Sequence, residues 1–113
     1  MHEVGLVADL VDACQAAAKG HQVTRLRVRH AATIPEDVVR QAFAMLTIGT
    51  PLEAAVLETQ SHDLLLECPC GYEGALRHDD VIGPTLAVCP GCGSLRERPA
   101  VPELELLEVR VAA

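Results

Sequence analysis

Four of the five cysteines fall in two close pairs, Cys68-Pro69-Cys70-Gly71 and Cys89-Pro90-Gly91-Cys92-Gly93. No other feature limits the fold of this stretch as strongly. Between Cys68 and Pro102 lie five of the eight glycines and five of the seven prolines. Such a segment cannot build a sizeable apolar core, so thiolates gathered on a metal are the expected source of cohesion. In the second pair, sulfurs at i and i+3 can grip one ion, and the glycines let backbone N–H groups turn toward them. Four thiolates complete the tetrahedron of a structural zinc site and leave no open position for catalysis. The spacing between the pairs suits a zinc ribbon. The first pair is shorter, C-x-C with a proline that lacks an N–H, and needs a tighter turn. Cys68, Cys70, Cys89 and Cys92 are therefore the candidate zinc ligands. Two alternatives stay open: a site in which His62, Glu67 or His78 replaces one thiolate, and a redox or disulfide pairing.

With 113 residues the chain has the length of one ordinary domain. Half of it is hydrophobic, yet Phe43 and Tyr72 are its sole aromatics. The core must be built from Val, Leu, Ile and Ala, and is expected to be small. A structural zinc reinforces such a domain with on the order of 10 kcal/mol of apparent binding energy. The net charge is −7, with Lys19 the one lysine. An acidic chain with two aromatics lacks both the phosphate-neutralising charge and the stacking platforms of nucleic-acid binders. Met1-His2-Glu3 has no cationic start, and Asp9 and Asp12 interrupt any signal-like run. No stretch reaches the ~18 uncharged apolar residues of a membrane span. The expected location is cytoplasmic, where thiols stay reduced and favour metal over disulfide.

Residues 4–19 carry Val4, Val7, Val11, Cys14 and Ala18 at spacings of three and four, which predicts an amphipathic helix stopped by Gly20. Cys14 on that stripe reads as a buried structural thiol rather than a ligand. Residues 23–29 alternate with a period of two, Leu26 and Val28 on one face and Arg25, Arg27 and Arg29 on the other. The arginine row reads as a solvated sheet face paired with Glu108, the alternative being a docking patch. Thr33-Ile34-Pro35-Glu36 predicts a capping-box start for a second helix ending at Gly49. Residues 55–59 and 64–67 predict two short strands around a polar turn at 60–63. Residues 106–111 predict a last strand, with a bulge where Leu106 and Leu107 break its phase. The expected fold is α+β: two helices on a small mixed or antiparallel sheet, with an inserted zinc-ribbon module. Residues 1–60 with 103–113 form one predicted domain and 61–102 the inserted one.

The amino terminus is the other chemically loaded feature. His2 can present its imidazole together with the α-amine of Met1 and a backbone nitrogen, a planar, nitrogen-rich set suited to Ni(II) or Cu(II). Glu3 adds a carboxylate. The plainer alternative makes Glu3 an acid at a helix N-terminus, where negative charge is favourable, and His2 an exposed residue without a task. Glu36 and Asp37 can add to a nickel site, although capping accounts for Glu36. His21, His30, His62 and His78 share no ligand spacing.

Met1-His2-Glu3, the amphipathic first helix, Thr50-Pro51-Leu52-Glu53-Ala54-Ala55 and the ribbon ending Cys89-Pro90-Gly91-Cys92-Gly93-Ser94 occur in one order. Together they resemble the HypA family of nickel metallochaperones, which serve nickel–iron hydrogenase and sometimes urease maturation. The resemblance implies a nickel domain at the amino terminus, with His2 as ligand beside Met1 and Glu3. It implies Zn(II) on the four cysteines, Ni(II) as transient cargo, a HypB-type GTPase as partner and a hydrogenase large subunit or the urease machinery as recipient. The departure is Cys68-Pro69-Cys70, one residue shorter than the family's C-x-x-C, which makes Cys68 the ligand to check. No nucleophile–base pair or phosphate-cradling glycine loop is present, so an enzyme is not expected. No partner nucleic acid or membrane is expected, and the protein is expected to be a monomer or a weak homodimer. The rival readings are a zinc-ribbon adaptor without nickel function and, more remotely, a zinc-dependent enzyme.

Overall fold

A computed structural model describes residues 2–112. Helix α1 (His2–Ala18) is followed by strand β1 (Val23–Ala31), helix α2 (Glu36–Leu46) and strand β2 (Val56–His62). Five short strands then occupy the cysteine-rich segment: β3 (Leu65–Glu67), β4 (Glu73–Ala75), β5 (Val81–Ile82), β6 (Leu86–Val88) and β7 (Leu95–Glu97), with a 3-10 turn at His78–Asp80. Strand β8 (Leu104–Val111) returns to the first region. The fold is α+β, as expected.

The main sheet is mixed, in the order β2-β1-β8. Strand β1 pairs with β2 in parallel, joined through α2, and with β8 antiparallel. The period-two pattern places Leu26, Val28 and His30 toward the helices and leaves the arginines on the opposite face. Opposite β8, Arg27 pairs with Glu108 and Val28 with Leu106, so Leu107 is an extra residue. That is the expected bulge, and it keeps apolar residues on both sides of the slip turned inward. Val7, Leu10, Val11, Cys14, Leu26, Val28, Phe43 and Leu52 form the core between helices and sheet. Cys14 is fully buried there, and burial pushes its thiol up to about 11.

Four local expectations are corrected. The arginine row does not use Glu108: Arg25 bonds Glu58 at 2.6 Å, Arg27 lies 3.5 Å from the same carboxylate, and Arg29 bonds Glu105 at 2.6 Å. Glu108 pairs instead with Arg110, two residues along its own strand. The Thr33–Glu36 capping box does not form. The N-cap is Pro35, without a side-chain cap, and the Glu36 carboxylate accepts from the Thr59 hydroxyl on β2. That bond, with Arg40 at 3.6 Å, holds the Glu36 carboxyl below its ordinary range. Residues 60–62, expected as a turn, continue β2, because parallel pairing with Arg29, His30 and Ala31 supplies partners that polarity alone does not reveal. Helix α2 stops at Leu46 rather than Gly49: the Thr47 N–H makes the last helical bond, to the Phe43 carbonyl, and the Thr50 N–H and hydroxyl then both donate to the Thr47 carbonyl, closing a turn in place of a further helical turn.

Candidate metal centres

The second core belongs to the cysteine-rich segment. Ala31, Leu64, Leu66, Leu76 and Ala87 pack with the buried Cys68 and Cys89. Strands β3 and β4 form one hairpin, and β5, β6 and β7 form a separate three-stranded sheet. Each cysteine pair sits in a turn of its own.

The two turns show how a C-x-C can match a C-x-x-C. In the second, the Gly93 N–H donates to the Cys89 carbonyl at 2.8 Å, and the Cys89 N–H to Ser94 O at 2.9 Å. In the first, the Gly71 N–H donates to the Cys68 carbonyl, and the Cys68 N–H to Tyr72 O, both at 2.9 Å. The same pair of bonds closes both turns, one residue earlier in the first. Gly71 and Gly93 take φ values of 102° and 76°, the left-handed region where glycine is favoured. Tyr72 braces the assembly. A Cβ on Gly91 would lie 3.0 Å from its Cβ, and its hydroxyl donates to Ala75 O at 2.9 Å.

The turns bring all four sulfurs within 4.8 Å of one another. Cys68 Sγ lies 3.9 Å from Cys92 Sγ, and Cys70 Sγ lies 3.7 Å from Cys89 Sγ. A tetrahedral zinc with bonds of about 2.3 Å requires sulfurs about 3.8 Å apart. The residues present therefore fit a zinc ion, and the short spacing at Cys68 costs no ligand. Backbone and side-chain donors favour the charged form at two of the thiols. The Ser94 hydroxyl, 3.2 Å from Cys92 Sγ, and then its backbone hold the Cys92 thiol down to about 6. The Cys70 N–H is the largest influence lowering Cys68. At Cys70 the backbone of Tyr72 favours the thiolate, but the adjoining thiols and burial together outweigh it and push the group up to about 11. Four sulfurs this close cannot all carry charge without a cation among them.

His78, weighed as a substitute zinc ligand, is engaged elsewhere: its Nδ1 lies 2.7 Å from the Thr33 carbonyl. His62 Nε2 lies 3.2 Å from Pro102 O. The cluster contains neither histidine, nor Glu67.

At the amino terminus, α1 begins at His2. Met1 and the side chain of His2 lie outside the described residues. Glu3, in the first turn, borders a cleft of about 170 Å³ shared with Thr33, His78, Arg98 and Glu103. Arg98, with a side chain 3% exposed, pairs with Glu103 and donates to Gly83 O at 3.2 Å. Sequence reasoning missed this junction. An arginine before a proline in a 98–103 connection carries no signal of burial, and Thr33 and His78 are remote in sequence.

A family model described as hydrogenase/urease nickel incorporation, metallochaperone, hypA matches residues 1–111. A hydrogenase maturation factor HypA from a Nostoc species is 33% identical over 120 aligned positions, covering 98% of this chain and all of that protein. One from Thermomicrobium roseum is 31% identical, covering 83% of this chain and 84% of the other. The fold is similar to the solution structure of the Ni metallochaperone HypA from Helicobacter pylori. There the TM-score is 0.61 and the identity 22%, with 98% of this chain and 97% of that one covered. No described helix is long and apolar enough to cross a membrane. The protein belongs to the HypA family of hydrogenase/urease nickel-incorporation metallochaperones.

Proposed function

We propose that this chain binds Ni(II) at its amino terminus and delivers it during maturation of nickel–iron hydrogenase or urease, with a structural Zn(II) on Cys68, Cys70, Cys89 and Cys92. The observation that carries the reading is the extent of the family match, which begins at residue 1 and takes in Met1-His2-Glu3 as well as both cysteine pairs. His2 is the indispensable nickel ligand through its imidazole, joined by the Met1 amine, with Glu3 beside them. The division of labour follows two regions: residues 1–60 with 103–113 carry the cargo site, and residues 61–102 form the zinc module. Zinc, when bound, neutralises the clustered thiolates and locks the two turns. Ser94, Tyr72 and the backbone of Cys70 orient the sulfurs around it. The protein acts in the cytoplasm as a carrier and not as an enzyme. Its partners are a HypB-type GTPase and the recipient hydrogenase large subunit or urease machinery, and it works as a monomer or weak homodimer.

A cargo must be held firmly and still be released, which favours an exposed planar nitrogen set over a buried cage. Such ligands bind only when deprotonated, so affinity falls as pH drops through the ordinary imidazole range near ~6.5. Calorimetric titration of untagged, zinc-loaded protein with nickel tests this. Binding is expected at neutral pH and is expected to weaken toward pH 5. Acetylation of the α-amine separates two versions: unchanged affinity removes Met1 from the ligand set and keeps His2. A flat pH profile through the imidazole range contradicts the histidine ligand.

A further inference from the structure

The helical layer carries an apolar ridge that the fold does not cover. Met45 on α2 and Ile48, three residues further on, are 70% and 69% exposed, the most exposed large hydrophobics among the described residues. A groove flanks each side of α2. One, of about 290 Å³, runs between α1 and α2 past Val4, Val38, Ala42 and Met45 and has Glu3 at its border. The other, of about 320 Å³, lies toward β2 past Phe43, Ala44, Ile48 and Leu57, with Glu53 on its rim. The first groove is apolar, and the second is mixed, with Arg40 and Thr47 also in its lining. A ridge beside an apolar groove is the shape that receives the side chains of an amphipathic helix at i, i+3, i+4 and i+7.

Charge identifies the occupant. The helices and the turn after α2 carry six carboxylates (Glu3, Asp9, Asp12, Glu36, Asp37 and Glu53) against two cations, Lys19 and Arg40. Arg40 is already engaged by Glu36. The main sheet is different: four arginines (Arg25, Arg27, Arg29 and Arg110) face three glutamates, Glu58, Glu105 and Glu108. The helical layer has a balance of −4 and the sheet +1, and a carboxylate stands at each groove beside the ridge, Glu3 at one and Glu53, with Arg40, at the other. A segment that is apolar alone gains nothing from that charge, and an acidic one is repelled. We propose that the α2 ridge and its two grooves are a docking surface for a basic amphipathic helix of a partner protein, which would lie with one edge against Glu3. The surface does not depend on nickel at His2.

The test uses full-length, zinc-loaded protein and a helical peptide of leucine and lysine, with a leucine–glutamate peptide of the same pattern as control. Fluorescence anisotropy is expected to show one-to-one binding of the basic peptide that weakens with salt, and no binding of the acidic one. Met45→Ser with Ile48→Ser is expected to weaken binding about tenfold or more through lost apolar contact. Glu53→Lys is expected to weaken it several-fold, and His2→Ala to leave it unchanged. Both ridge positions are exposed, so zinc content and circular dichroism should match the parent. No binding of the basic peptide, equal binding of the two peptides, or unchanged binding by the double serine variant overturns the proposal. So does self-association that the serine variant abolishes, or capture of neutral lipid vesicles by the ridge, since either assigns it another occupant.

Discussion

The helix–sheet region and the cysteine-rich region reach stability by different means. The first buries eleven side chains in one cluster, with Leu26 and Leu52 fully enclosed, and its cohesion is aliphatic apart from Phe43 and the Cys14 thiol. The second core gathers seven, two of them cysteines and one, Ala31, lent by β1, around strands of two or three residues. Strands so short cannot hold register by burial, and the proposed zinc on the four clustered sulfurs would do what apolar packing does elsewhere. A metal-held core is modular: its energy is concentrated in one bond set and is lost as a unit. An aliphatic core loses stability by degrees.

Loss of the proposed zinc is expected to be the largest perturbation. Cys89→Ser is expected to abolish zinc binding and forfeit most of the ~10 kcal/mol such sites supply. Hydrogen exchange should then show residues 64–98 open while α1, β1 and β8 stay protected. Full zinc and native stability in that variant would break the contrast between the regions. Leu26→Ala tests the other side. Leu26 is fully buried on the central strand, and its truncation is expected to cost about 3 kcal/mol in denaturant unfolding with zinc content unchanged.

Between the two lies the Arg98–Glu103 pair, with the Thr33–His78 contact beside it. Arg98→Ala removes a cation from a buried position and is expected to cost roughly 3 kcal/mol. The two regions should also unfold in separate transitions in calorimetry. A single unchanged transition would show that the pair does not couple them. The smallest effect belongs to the arginine face. Glu58→Gln removes pairs whose partners are more than a third exposed, and is expected to change stability by less than about 1 kcal/mol, less still in high salt.

The contrast also explains what the sequence disclosed. Strong periodicity marked α1 and β1, and adjacent leucines marked the bulge at Leu107, because a large one-sided core imposes a pattern. The four cysteines marked their own cluster through spacing. The strands between them left no trace, since Glu73–Ala75 or Leu86–Val88 is too short for a period to register. Long-range pairings were equally silent. Glu36 satisfied a local capping rule and yet bonds Thr59, and the row of arginines found Glu58 and Glu105, whose positions depend on strand register. Local chemistry was legible; partners chosen by topology were not.

In the proposed division, one region carries a cargo metal and the other a structural one. Elemental analysis after equilibrium dialysis against nickel, run on untagged parent, His2→Ala and Cys89→Ser proteins, tests it most directly. One zinc and one nickel per parent chain are expected, with zinc but no nickel in His2→Ala and loss of zinc in Cys89→Ser. A His2→Ala protein that takes up nickel as fully and as tightly as the parent would contradict it, and the zinc-ribbon adaptor would become the better description.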